Sequence, residues 1–263
     1  MNREWRRAPR IILPAMIFVL VIGVWEAVVR IKQIPPYILP SPSLIAQTLV
    51  QDWVVLFDSL LTTLRTTLEG FAAAVIGGIA LALLFSRSKW VETALFPYAI
   101  VLQVTPVIAI APLLLIYLPQ HLAVVACAFI VAFFPVLSNT LLGLKSIDRN
   151  LAGLFTLYGA SPGQTLRYLK LPSALPYLLG GLRIAGGLSL IGAVVAEIAA
   201  GSAGAGSGLA YRIAESSYRL NIPRMFAALL LLCAAGIVIH IALSLVSHLV
   251  LRRWHESALG TEA

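Results

Sequence analysis

The chain has 263 residues, 60% of them hydrophobic and only 11% charged, with a mean hydropathy of +0.93, which excludes an ordinary water-soluble domain. Long uncharged stretches recur along its length, so one membrane domain is expected and no soluble catalytic domain has room. The formal charge of +8 does not point to nucleic acid, because the basic residues stand between apolar segments rather than on one polar face.

A bilayer core of about 30 Å takes about 20 helical residues to cross, and backbone groups left unpaired in lipid make the helix the economical form. Six segments qualify, which predicts an all-α, polytopic membrane helix bundle. The first, residues 11–29, follows Arg3, Arg6, Arg7 and Arg10. That is the charge order of a secretory signal, but no small-residue cleavage site follows, and an uncleaved span is expected. Pro35, Pro36, Pro40 and Pro42 then predict an extended, stiff loop over 34–43.

The second span covers 69–85, and residues 60–68 before it either extend it or lie in the interface. The third, 93–118, is interrupted by Pro97, Pro106 and Pro112, so it is kinked or broken. A tight bend at 119–121 must separate it from the fourth span, 122–144. The fifth runs over 175–200 and the sixth over 225–251, joined by a glycine- and alanine-rich turn at 201–208. Six spans are expected, five if the third fails to cross.

With the N-terminus cytoplasmic, twelve of the nineteen basic residues fall on the cytoplasmic side: Arg3, Arg6, Arg7, Arg10, Arg87, Lys89, Lys145, Arg149, Arg167, Lys170, Arg252 and Arg253. Arg30, Lys32, Arg212, Arg219 and Arg224 fall outside, and Arg65 and Arg183 lie within or beside helices. The positive-inside rule therefore places both termini in the cytoplasm. Cys127 and Cys233 each sit in an apolar run, where a small buried thiol is the expected role, with no metal or redox site.

Two ridges of small residues spaced four apart, Gly70, Ala74, Gly78, Ala82 and Gly181, Ala185, Ser189, Ala193, predict faces for close helix packing. Ionisable groups in spans are costly and need a reason. Arg65 and Glu69 can pair on one helical face. Arg183 can snorkel to the cytoplasmic surface. Glu197 either lines a translocation pathway or reaches the headgroups, and with Arg183 it is the candidate pathway residue. Glu26 and His240 have no evident partner in the sequence.

The most informative stretch is the polar loop of about 145–173. Asp148 can cap a helix carrying Leu151, Leu154, Phe155 and Tyr158 at the spacing of one apolar face. Gly159 supplies a stop, and after Ala160 the run Ser161, Pro162, Gln164 fits an N-cap, first-turn proline and capping-box glutamine, with Leu171 and Pro172 expected to end this second helix. By pattern alone the first helix could lie on the membrane, pack on its own bundle, or dock a partner.

Gly159, Leu169, Leu171 and Pro172 stand at the spacing of the cytoplasmic motif of binding-protein-dependent permeases, and the surrounding LYGASPGQTLRYLKLPSALPYLLGGLRIAGG resembles that family along its whole length. The resemblance continues through Glu197 and back to YILPSPS at 37–43, and is most like the nitrate, sulfonate and taurine branch. The Glu-Ala-Ala opening the family motif is absent, with Gly153, Leu154 and Phe155 in its place. The resemblance implies a type I importer with two permease subunits, here expected as a homodimer, two cytoplasmic ATPases, and an extracytoplasmic solute-binding protein that delivers a small polar or anionic solute. The coupling residues would be Leu151, Leu154, Phe155, Tyr158, Gly159, Ala160 and Ser161, seated in a groove of the ATPase.

The chain has no glycine-rich loop ending in Gly-Lys-Ser or Gly-Lys-Thr, so it is not expected to be an enzyme or to bind a cofactor; ATP and magnesium belong to the partner ATPase. The rival reading is a secondary transporter or channel working alone, which should show relay residues deep in several helices or an internal repeat. A membrane enzyme lacks any compact His, Asp or Cys constellation.

Overall fold

The computed structural model describes residues 4–201 and 206–252, with side chains from residue 13 onward. Arg3, Arg253, the side chains of Arg6, Arg7 and Arg10, and residues 202–205 of the glycine-rich turn lie outside the described residues.

All regular structure among the described residues is helical. Eleven helices follow in order: α1 (Glu4–Ile31), α2 (Pro42–Gln51), α3 (Trp53–Arg87), α4 (Lys89–Val104), α5 (Val107–Tyr117), α6 (Gln120–Lys145), α7 (Arg149–Leu157), α8 (Pro162–Thr165), α9 (Leu171–Ala200), α10 (Leu209–Tyr218) and α11 (Ile222–Leu251). A π-helical turn, Leu166–Lys170, joins α8 to α9. Five helical stretches are long and apolar enough to cross a bilayer, and the pair α4 and α5, bent by 98°, makes a sixth if it is one broken span.

The centre of the bundle is α6, packed between α3 and α9. Both small-residue ridges face into it: Gly70, Ala74, Gly78 and Ala82 are buried on α3, as are Gly181, Ala185, Ser189 and Ala193 on α9. Such faces let backbones approach closely in a medium that offers no hydrophobic drive between helices. Gly192 shows how closely: an added Cβ would stand 2.6 Å from the Cys127 carbonyl oxygen and 2.9 Å from the Ala128 Cα. The free thiol of Cys127 is itself buried in this seam, whereas Cys233 is exposed on α11. Larger side chains, Phe85, Phe133, Val136, Leu137, Leu141 and Leu144, fill the end of the core nearest α7.

Several sequence-based boundaries are corrected. The second span begins at Trp53 rather than at 69, because residues 60–68 continue the same helix without a break. The proline-rich loop ends at Ser41, whose hydroxyl accepts from the Leu44 N–H while Pro42 opens α2, a position where its missing N–H costs nothing. The third span breaks at only one of its three prolines: Thr105 is extended (φ −71°, ψ 123°) before Pro106, whereas Pro97 and Pro112 are carried inside α4 and α5. Leu171 and Pro172 do not end the second loop helix. The π turn sends the Leu171 N–H five residues back to the Leu166 carbonyl, and the widened ladder carries Pro172 into α9. The turn after α9 is followed by the helix α10.

At the end away from α7, the short helices α2 and α10 lie against α11 and the start of α3, burying Ile45, Leu56, Leu209, Ala227 and Ala228. Arg224 clamps this layer to α3 through two bonds to the Asp52 carboxylate, at 2.6 and 2.9 Å. Helix α1 stands apart on the bundle's flank, and Glu26 fixes it: its carboxylate accepts from the Ser43 N–H (3.0 Å), the Ser43 hydroxyl (2.8 Å) and Arg30 (2.5 Å). The partners that the sequence did not show for Glu26 are therefore structural ones. His240 lies exposed on α11.

Candidate functional site

Two places gather the residues singled out from the sequence. The first is α7 and the turn after it. The Asp148 carboxylate caps the helix by accepting from the N–H groups of Asn150 (2.6 Å) and Leu151 (3.4 Å). Gly159, at φ +68°, stops it in a left-handed conformation that glycine adopts without strain. Ser161 and Gln164 close a capping box: the Gln164 N–H donates to the Ser161 hydroxyl at 3.3 Å and the Ser161 N–H to the Gln164 side chain at 2.7 Å. These caps satisfy end groups of two helices too short to be stable by propensity alone.

No residue of α7 is buried. Leu151, Leu154 and Tyr158 are 48%, 47% and 81% exposed, and Phe155 is half-buried. Leu154, Phe155, Tyr158 and Ala160 line a wholly apolar hollow of about 240 Å³. The amphipathic face predicted from the sequence thus exists and is left uncovered by the bundle.

The second place is a cavity of about 290 Å³ between α3, α6, α9 and α10, near the opposite end, lined mostly by residues with polar groups. Glu197, only 4% exposed, accepts from the Thr63 hydroxyl (3.0 Å) and the Ala210 N–H (3.1 Å). Thr63 in turn accepts from the Leu209 N–H at 2.9 Å, so the start of α10 is fastened to α3 and α9 through these two side chains. The close fit needs Gly208, since a Cβ there would collide with the Glu197 carboxyl group. One carboxylate oxygen, Oε1, has no hydrogen-bond partner among the described residues.

Beside Glu197, the cavity is lined by Thr62, Arg65, Thr66, Gln120, His121 and Tyr211. Arg65 and Glu69 pair as the spacing predicts, at 2.9 Å, and His121 joins them at 2.7 Å from the other Glu69 oxygen. Sequence reasoning missed Thr63, Gln120 and His121. The run TTLRTT at 62–67, dense in hydroxyls for a membrane helix, was the available signal for the first; the others come from a different helix. Arg183 does not join this group. It lies fourteen residues from Glu197 on α9, about 21 Å along the axis, with a buried Nε that has no hydrogen-bond partner among the described residues.

A family model for the inner membrane component of binding-protein-dependent transport systems matches residues 74–254, which include α7, the π turn and Glu197. The chain belongs to this family. This permease is 34% identical over 257 residues to the riboflavin transport system permease RibX of Chloroflexus aurantiacus, covering 97% of this chain and 92% of the relative. It is 33% identical over 248 residues to the formylaminopyrimidine transport permease ThiX of Halalkalibacterium halodurans, covering 94% and 97%. The nitrate import permease NrtB of a Synechocystis strain follows at 29% over 214 residues, with 76% of each chain covered. The fold matches a crystal structure of an amino acid ABC transporter with histidines at a TM-score of 0.63 and 20% identity, over 76% of this chain and 96% of that one. The nitrate branch expected from the motif is thus among the relatives, and the permeases named for riboflavin and formylaminopyrimidine are more similar.

Proposed function

We propose that this permease forms the membrane pathway of an ATP-driven importer, with α7 as the helix that docks on a separate cytoplasmic ATPase. One observation carries the reading: α7 is capped at both ends, projects from the bundle and leaves Leu151, Leu154 and Tyr158 exposed, with Phe155 half-buried beside them. An apolar helical stripe with a hollow beside it is the form of a helix-in-groove contact. ATP and magnesium are handled on that partner, and closure of two ATPases moves the paired permease copies through their α7 loops. The α7 end and both termini face the cytoplasm, and α2 and α10 face the solute-binding protein outside.

For the solute, the order of similarity favours a nitrogen heterocycle of the vitamin or vitamin-precursor kind over nitrate, sulfonate or taurine. A transporter working alone is the second reading, favoured by Glu197 and by His121, itself paired with Glu69, standing at one cavity. Vesicles containing the permease, its ATPase and its binding protein decide the matter. Riboflavin and formylaminopyrimidine should be taken up in preference to taurine and nitrate, and only with all three chains and ATP. Solute flux through the permease alone would overturn the importer reading in favour of the second.

A further inference from the structure

The cytoplasmic ends of three membrane helices and the π turn converge on two adjoining clefts. Arg87 ends α3, Lys89 begins α4, Lys145 ends α6 and Lys170 ends the π turn. All four line a cleft of about 420 Å³ whose floor is formed by the buried side chains of Phe85 and Leu144. Arg87 and Lys170 also line its neighbour, of about 340 Å³, which reaches Pro162 and Gly163 at the start of α8.

Charge in this cleft is not balanced. Its sole carboxylate, Glu92, is paired with Lys145. Among the described residues, Arg87, Lys89 and Lys170 form no ion pair and no side-chain hydrogen bond. A topology signal requires cations in the loop but not their convergence in one hollow, and Arg149 and Arg167 show the alternative by lining neither cleft. Three uncompensated like charges over an apolar floor leave a field that a bound anion would relieve. The depth is marked independently: Trp90, next to Lys89, is 88% exposed, and tryptophan of this kind belongs at the headgroup level of a bilayer.

We propose that this cleft binds the phosphodiester headgroup of an anionic phospholipid of the cytoplasmic leaflet, tying the returning arm of the α7 loop to the bundle. The proposal rests on the orientation given above. Basic pockets between helices on the cytoplasmic side suit such headgroups, and the apolar floor suits the glycerol and first acyl carbons. Because Lys170 lies between α8 and α9 while Arg87 and Lys89 lie between α3 and α4, the lipid would brace the joint through which a push on α7 reaches the spans.

The test uses the full-length permease in bilayer discs of phosphatidylcholine containing either phosphatidylglycerol or cardiolipin, with retained lipid counted by native mass spectrometry. The anionic lipid should be retained over phosphatidylcholine. Replacing Arg87, Lys89 and Lys170 with Gln should weaken retention about fivefold for each charge removed. The control Arg252→Gln, which removes one charge outside the cleft, should leave it unchanged where any one of the three replacements weakens it, and Lys89→Arg with Lys170→Arg should preserve it. Millimolar inorganic phosphate should not displace the lipid; displacement would assign the cleft to soluble phosphate and overturn the lipid assignment. Equal retention of phosphatidylcholine, or an equal loss in Arg252→Gln, would reduce these residues to topology signals. If the triple variant keeps its lipid but no longer co-purifies with the ATPase, the cations serve the protein partner and the proposal fails. Lipid retention is read on the permease alone, so its failure is distinguishable from failure of the ATPase reading.

Discussion

Glu197 and Gly192 sit on the same helix, one holding polar groups and the other making room. The Glu197 carboxylate supplies the acceptor for the Ala210 N–H and the Thr63 hydroxyl, both buried. Glu197→Leu leaves these donors unpaired, which costs about 1–3 kcal/mol for each group stranded. Glu197→Gln retains one acceptor oxygen and should cost less. Thermal melting of the purified permease should rank wild type above Gln and Gln above Leu, and equal melting of all three would show that the side chain does not fasten α10. Loss of uptake in Glu197→Gln at unchanged melting would place the residue in the pathway as well. At Gly192 the neighbours are backbone atoms, which cannot swing aside as a side chain does. Gly192→Leu should therefore force α9 from α6 and lower stability by about 1–3 kcal/mol or more, seen as a lower melting temperature and reduced membrane abundance.

Among the elements, α7 is the one whose capping, amphipathicity and exposure point the same way. Its stripe places binding energy in a few apolar anchors, and truncating a central one typically costs about 2 kcal/mol, roughly 30-fold in affinity. Phe155→Asp also brings a charge into the contact. The expected result is normal insertion, weakened co-purification of the ATPase and reduced uptake, while Asn150→Asp, off the stripe, stays close to wild type. Full ATPase binding by Phe155→Asp would remove α7 from the coupling role. The pair α4 and α5 shows a different lesson at this scale. Three prolines interrupt the apolar run, yet the chain turns only at Thr105 and Pro106, where the hydroxyl of Thr105 bonds back to the Val101 carbonyl at 2.6 Å and the next N–H is missing.

For the whole molecule, the distribution of basic residues sets the orientation to be tested. In a version with Cys127 and Cys233 replaced by Ala, a cysteine placed at Lys32 or Arg219 should label from outside intact cells with an impermeant reagent. A cysteine at Arg149 should be protected until the cells are opened. The opposite pattern would reverse the topology, and would also move the basic cleft to the outer leaflet, where the lipid proposal could not hold.

Spans, small-residue ridges and the capped loop helix were legible in the sequence because each depends on local composition or on spacing within one helix. Asp148, Gly159 and the Ser161 to Gln164 box act over two to four residues, and the ridges repeat every four. The continuation of α8 into α9 was not legible: a π turn changes which carbonyl the Leu171 N–H reaches, and proline punctuation alone reads as a stop. Nor was the Glu197 site, whose hydrogen-bond partners Thr63 and Ala210 come from other helices. Its geometry arises only when α3, α6, α9 and α10 close together, because a buried carboxylate takes its donors from whichever backbone and hydroxyl groups packing brings within 3 Å. Residue order therefore determined that the chain would enter a membrane and where its helices could approach, while tertiary packing decided which polar groups would meet inside it.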